Sequence, residues 1–300
     1  MDTVGWLLDS DPAIRYQAMR DLTDASAAAL AAERARIPHE GLGAGILACQ
    51  RPDSGWPRDG ASHWLPTLFT MQLLRATGVD CAEPEVDRAV ARLAEGFRWH
   101  KDLGGKPFFE GETEPCINGG ALALGGYFGR PSEALARRLL GEQLEDGGWN
   151  CDAPKSSRSS FHTTICVLEG LIEYERTTGA APEIAAARRR GEEYLLERTL
   201  FRRRSTGEVA SPAFLEFAYP PRYGYDVLRA LDYFRAAGGP EARMSEAVKV
   251  VESKRQPDGR WRLDRTHSDV LAFPFPESVG EPSRWNTLRA LRVLHWYERG

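Results

Sequence analysis

The sequence predicts an all-helical protein of stacked hairpins, and three observations carry that prediction. Apolar residues recur at i, i+3 and i+4 along most of the chain. Glycine or proline punctuates the intervals between those runs. One short glycine–tryptophan turn repeats along the length. With 300 residues, 42% of them hydrophobic, the chain can bury most of its apolar surface in such a core.

Taken in order, Asp11-Pro12 supplies a cap and a first-turn proline for a helix over Ala13–Leu22. Amphipathic helices are expected over Ala27–Arg36, Glu85–Phe97, Ser132–Gln143, Glu183–Leu200 and Glu241–Lys254. A second, more apolar set is expected over Trp64–Thr77, Cys116–Phe128, Phe161–Thr178, Tyr223–Ala237 and Trp285–Tyr297. Gly78, Gly129, Gly179 and Gly238 close four of these as left-handed caps. The only strand candidates are a few residues at the Gly-Trp turns.

The repeat reads Gln50-Arg-Pro-Asp53-Ser-Gly55-Trp56, Gln143-Leu-Glu-Asp146-Gly-Gly148-Trp149 and Gln256-Pro-Asp258-Gly259-Arg-Trp261. Weaker copies stand at Lys101-Asp-Leu-Gly-Gly105 and Arg204-Ser-Thr-Gly207-Glu. Each copy follows an amphipathic helix and precedes an apolar one, which gives five units over residues 25–300 behind N-terminal helices in 1–24. Asp-Gly supplies the turn, the glutamine side chain bonds free backbone at a helix terminus, and the tryptophan covers the joint. Alternating apolar and amphipathic helices imply an inner and an outer layer. Such a repeat closes on itself around a central cavity, as a single domain of residues 1–300.

Composition excludes several classes. Lys+Arg 39 against Asp+Glu 43 gives a net charge of −4, so no basic field calls for nucleic acid. Mean hydropathy is −0.43, and no apolar run reaches the ~18–20 residues of a membrane span. Residues Met1–Asp11 lack the basic and apolar regions of a signal peptide. Five cysteines are too few and odd in number for a disulfide framework, so reduced thiols and a cytoplasmic location are expected.

The Gln-x-x-x-Gly-x-Trp turns resemble the repeat of the squalene–hopene and oxidosqualene cyclases, and the broader pattern is similar to protein prenyltransferase β subunits. Both are α/α toroids, so the resemblance, from about Leu47 to Tyr297, implies a toroid of five to six helical hairpins. Phe161-His-Thr-Thr164, Pro221-Arg-Tyr-Gly-Tyr-Asp226 and Pro282-Ser-Arg-Trp-Asn-Thr287 also resemble bacterial cyclase-like toroid proteins. The departures restrict the chemistry. The cyclases' Asp-x-Asp-Asp motif is missing, and so is an Asp-Asp-x-x-Asp metal–diphosphate motif; Asp9-Ser-Asp11-Pro12 reads as a helix cap.

Parallel inner helices gather their N-termini at one mouth, where their dipoles favour an anion. The polar and aromatic residues at those starts are His63, Trp64, Glu114, Cys116, His162, Thr163, Arg222, Tyr223, Tyr225, Asp226, Arg284, Trp285 and Asn286. Prenyltransferase β subunits hold catalytic zinc with an Asp-x-Cys pair and a histidine of the following inner helix. The resemblance carries these roles to Glu114, Cys116 and His162, with Cys151 as a further ligand or a replacement. Each also has a plain packing role, because a cysteine at a helix start serves as a small buried hydrophobe.

Lys155 and Arg158, in the serine-rich loop Asp152–Ser160, join Arg222 and Arg284 as candidate contacts for an anionic group. Trp64, Phe108, Phe109, Tyr219, Tyr223, Tyr225 and Trp285 are candidate cavity aromatics; in the cyclases such rings stabilise carbocations. Asp226 is a candidate general acid or base, or the i+4 partner of Arg222. The expected function is an enzyme acting on a hydrophobic, isoprenoid or terpenoid small molecule in the cavity, with zinc at the mouth. The alternatives are a metal-independent terpenoid cyclase-like enzyme and a non-catalytic toroid that binds a lipid or a partner protein.

Overall fold

Asp11 starts the first long helix as expected. Its side chain accepts the N–H of Ala13 at 2.8 Å, and it reaches on to the N–H of Leu42 at 2.7 Å. The computed structural model describes residues 2–51, 55–57, 64–179 and 181–300. Among them it contains thirteen α-helices and no β-strand longer than isolated bridges such as Arg98–Pro107 and Arg202–Val209. In chain order these are α1 (Thr3–Leu8), α2 (Pro12–Leu22), α3 (Ala27–Arg34), α4 (Gly41–Ala48), α5 (Trp64–Ala76), α6 (Pro84–Gly96) and α7 (Pro115–Tyr127). There follow α8 (Glu133–Gly141), α9 (Phe161–Thr178), α10 (Pro182–Leu196), α11 (Val227–Ala237), α12 (Ser245–Ser253) and α13 (Arg284–Arg299).

Helices α2, α5, α7, α9, α11 and α13 surround one central cavity, while α4, α6, α8, α10 and α12 pack outside them. Helix α13 lies against α2 and closes the ring. The fold is the α/α toroid that the repeat implies, with α2 as the sixth inner helix.

The glycine–tryptophan turns bond identically three times. Trp56, Trp149 and Trp261 are each fully buried. Their indole N–H groups donate to Ile46, Leu139 and Val251 near the ends of the preceding outer helices, at 2.6, 2.7 and 2.7 Å. Their backbone N–H groups donate to the hydroxyls of Thr67, Thr164 and Thr287 in the first turns of the following inner helices, at 3.1, 3.1 and 3.0 Å. Burying an indole removes roughly 200 Å² from water, about 5 kcal/mol before entropy is counted. Each tryptophan therefore welds an outer helix to its inner neighbour.

Gln256 donates to the carbonyl of Lys254, the C-cap of α12, at 2.9 Å as expected, but the other two glutamines act differently. Gln50 and Gln143 donate to carbonyls inside the next outer helix, Ala89 and Ala187, each at 2.8 Å, rather than to a helix terminus. They tie successive units together.

A glycine seam draws α7 onto α9. A Cβ at Gly119 would stand 2.3 Å from the Cys166 carbonyl oxygen, and one at Gly170 would stand 2.5 Å from that of Gly119. Only residues without a side chain permit that approach.

Three further expectations are corrected. Gly238 is extended (φ 172°) and not left-handed, whereas Gly78 and Gly129 have φ 78° and 69°. The glycine-rich α4 was not anticipated, because its glycines weaken the periodic signal and tertiary contacts with Asp11 and Ile37 supply the order. Helix α11 begins at Val227, so Asp226 precedes it and caps it by accepting the N–H of Arg229 at 2.8 Å. The expected Arg222–Asp226 helical pair therefore does not form; Arg222 stands 3.6 Å from Asp269, and Asp226 stands 3.9 Å from Arg289.

Candidate functional site

Two sites lie on the ring, one at each end of the inner helices. At the N-terminal end, Pro115 opens α7 and leaves Glu114 as the residue before it. The buried carboxylate of Glu112 accepts the N–H of Glu114 at 2.8 Å, and Arg138 donates to the carbonyls of Glu112 and Thr113. That network fixes the approach to the helix. Cys116, in the first turn, directs its thiol to the Glu114 carboxylate at 3.7 Å.

The loop after Trp149 delivers Cys151 to the same place. Ser160 N–H donates to the Trp149 carbonyl at 2.8 Å, Asn150 Nδ2 to the Arg158 carbonyl at 2.7 Å, and Asp146 accepts from Ser159. Cys151 Sγ then lies 3.4 Å from the Thr163 hydroxyl. The ligand atoms of Glu114, Cys116 and Cys151 all fall within 4.8 Å of one another. A thiol hydrogen bond from Cys116 outweighs burial and holds Cys151 down to about 7, while the same contact and burial push Cys116 upward. One sulfur of the pair is thus poised as a thiolate near neutrality.

His162 stands outside this trio, contrary to expectation. Its Nδ1 accepts the backbone N–H of Tyr225 at 2.9 Å and its ring packs edge-on against Phe214, so the loop before α11 has claimed it. Burial first, then Arg229 and Arg265, hold its pKa below the ordinary 6.5.

Three donors, two sulfur and one oxygen, suit a zinc ion. Tetrahedral zinc with bonds of about 2.3 Å to sulfur and 2.0–2.2 Å to oxygen sets its ligand atoms about 3.5–3.8 Å apart. The 3.7 Å separation of the Cys116 sulfur from Glu114 meets that requirement. A three-residue set also leaves a fourth position open.

The second site is a central cavity of about 370 Å³. Phe69, Tyr219, Pro220, Pro221 and Trp285 meet it from the N-terminal side, where Tyr219 stacks on Trp285 with centroids 4.7 Å apart. Leu73, Ala123 and Ile172 add apolar wall, and Gln72 reaches over Gly120. Nine arginines line it against three acids, Glu169, Glu173 and Asp232, so the cavity is far more cationic than the apolar inner helices suggest.

The other anticipated residues are scattered. Trp285 lines the cavity, and Arg222 both lines it and lies 4.8 Å over the Phe69 ring. Arg284 turns outward onto Trp6 at 4.3 Å. Lys155 and Arg158 are exposed on their loop and do not line the cavity. Asn286 is fully buried and donates to the carbonyls of Phe217 and Arg262 at 3.0 and 3.1 Å. Tyr225 is a core residue whose hydroxyl bonds the Leu200 carbonyl. Trp64 packs on Trp99 at 5.8 Å, and Tyr223 is 48% exposed. Asp226 is buried as a helix cap, where burial outweighs Arg289 and two backbone N–H groups and raises its pKa. His63 lies outside the described residues.

Apart from Arg222, sequence reasoning missed the cavity arginines. The signal was present, since α2, α5, α9 and α11 each end on one: Arg20, Arg75, Arg176 and Arg235.

No protein-family model and no curated protein matches the chain. Similar solved structures include the type II terpene cyclase MstE from Scytonema, determined without ligand, with TM-score 0.48, 16% identity and 94% of this chain against 85% of that one. They also include a protein from Actinoplanes, with TM-score 0.50, 15% identity and 96% of this chain against 89% of that one. With the Actinoplanes protein this chain shares its fold, along nearly its whole length.

Proposed function

We propose that this protein is a terpenoid cyclase-like enzyme that works on a small molecule in its central cavity, with a zinc ion held by Glu114, Cys116 and Cys151. The observation that carries the reading is the convergence of those three donors from α7 and the loop before α9. Zinc bound there would supply a Lewis acid with an exchangeable position. Cys116 lies one helical turn from Gly120, which lines the cavity, so the two features adjoin.

The chain's own groups have separate tasks. The apolar wall of Phe69, Leu73, Ala123, Ile172 and Trp285 excludes water and seats the hydrophobic part of the substrate. Glu112 positions Glu114 through its backbone N–H, and the Cys116 thiol keeps Cys151 ionisable near pH 7. Five free cysteines suit a reducing compartment such as the cytoplasm. Among the described residues, no helix is long and apolar enough to cross a membrane.

Elemental analysis of protein purified without chelator tests the reading. One zinc per chain is expected, lost in Cys116→Ala and in Cys151→Ala and retained in His162→Asn. Protein without stoichiometric metal, or with metal that survives loss of both cysteines, overturns it.

A further inference from the structure

The C-terminal end of the inner ring holds more positive charge than its own carboxylates balance. Arg20, Arg75, Arg176 and Arg235 stand in the last turns of four inner helices, where the helix dipole favours cations. Arg289 and Arg292 join them from α13. These six guanidiniums share four carboxylates. Glu173 takes Arg75 at 2.8 Å and Arg176 at 3.6 Å. Asp232 takes Arg235 at 3.0 Å, Arg289 at 4.0 Å and Arg292. Asp21 takes Arg20 at 2.7 Å and Arg292 at 3.5 Å, and Asp226 stands 3.9 Å from Arg289.

An excess of two positive charges therefore faces a cavity, with Glu173, Asp232 and Asp21 each shared between two or three guanidiniums. A second observation points the same way. Tyr219 enters this cavity from the N-terminal side with the Arg289 guanidinium 5.7 Å over its ring and is 4% exposed, yet its hydroxyl has no hydrogen-bond partner among the described residues. Native folds rarely leave such a group unsatisfied.

We propose that this end of the cavity binds a small phosphoryl anion carrying two or more negative charges, such as a phosphate monoester or a diphosphate. The charge of the anion matches the excess. The geometry selects phosphoryl over carboxyl: arginines arrive from several helices around a ring, and a tetrahedral phosphoryl group accepts from several directions at once. A carboxylate offers two oxygens in one plane. The site stands apart from the zinc reading, because none of its residues belongs to the trio.

Calorimetric titration with inorganic diphosphate tests the proposal, with orthophosphate and citrate as comparison ligands. Diphosphate is expected to bind most tightly and to weaken as salt is raised. Arg176→Gln and Arg235→Gln each leave their carboxylate with another arginine, and each is expected to weaken binding about tenfold or more. Arg137→Gln, at an exposed arginine of α8, is expected to bind as the parent does. The Cys116→Ala plus Cys151→Ala protein is expected to bind diphosphate unchanged, which separates this site from any metal.

Phenylglyoxal labelling of the parent protein gives a readout that needs no variant. Diphosphate is expected to protect Arg75, Arg176 and Arg235 while leaving Arg137 reactive. No binding at millimolar diphosphate, binding unchanged in both glutamine variants, or labelling unaffected by diphosphate overturns the site. Citrate binding as tightly as diphosphate overturns the phosphoryl assignment.

Discussion

At the N-terminal end of the inner ring, Trp149 and Trp261 lock α9 and α13 to their outer neighbours, and the loop after Trp149 brings Cys151 against Cys116. At the C-terminal end, the last turns of α2, α5, α9 and α11 face a cavity and carry arginine instead. One end is closed by local packing and the other by shared charge. The positive ends of the inner helices, where dipole reasoning alone looks for an anion, are occupied by caps such as Asp226 and Ser283 and by the loop that holds His162. Four of the cavity guanidiniums, those of Arg20, Arg75, Arg176 and Arg235, stand at the negative ends, where the dipoles help to stabilise them.

The largest effect that tests this contrast is expected at Trp149. Trp149→Ala removes a fully buried indole and its bond to Leu139, so a loss of about 3–5 kcal/mol is expected in chemical denaturation. Because Cys151 lies two residues on, the variant is also expected to lose metal while still binding diphosphate. Simultaneous loss of both in a folded variant would mean that the two ends are one site.

The same residues show how much could be read from the sequence. The turns were legible because a period of helix, glycine and tryptophan survives in the chain. The prenyltransferase resemblance pointed to Glu114, Cys116 and His162 with Cys151 as a further ligand or replacement, and it is Cys151 that the structure brings to Glu114 and Cys116. His162 was misassigned because its hydrogen bond to Tyr225 spans 63 positions and leaves no local trace. Arg20, Arg75, Arg176 and Arg235 were overlooked for the opposite reason: each is an ordinary cation at a helix end, and only closure of the ring makes them neighbours. Asp226 was placed one turn inside its helix because Tyr223-Gly-Tyr225 continues the apolar pattern across a loop.

The next effect belongs to the charged end. Asp232 is buried, and although burial raises its pKa, Arg292, Arg235 and Arg289 outweigh that and hold it below the ordinary carboxylate range. Asp232→Asn leaves those arginines without their shared counter-charge, and a loss of about 3 kcal/mol is expected. Zinc content is expected to be unchanged, the converse of Trp149→Ala. A stability equal to the parent's would show that the arginines are not held by this carboxylate.

The smallest effect is a pH dependence from His162. Its folded pKa lies below 6.5, so the folded state disfavours the proton that the unfolded chain accepts. The associated stability is fully present above the unfolded value and is lost as pH falls below it. His162→Asn keeps an acceptor for the Tyr225 N–H and removes the titration. Its stability is expected to fall less than the parent's between about pH 7 and about pH 5 in paired denaturation curves. Parallel curves would assign the acid sensitivity elsewhere.

X-ray absorption at the zinc edge addresses the most specific assertion made for the N-terminal end. The predicted spectrum has two sulfur scatterers at about 2.3 Å and the remaining oxygen or nitrogen scatterers at about 2.0–2.2 Å. A first shell of oxygen and nitrogen alone, or a protein that acquires no zinc, would contradict a centre built from Glu114, Cys116 and Cys151.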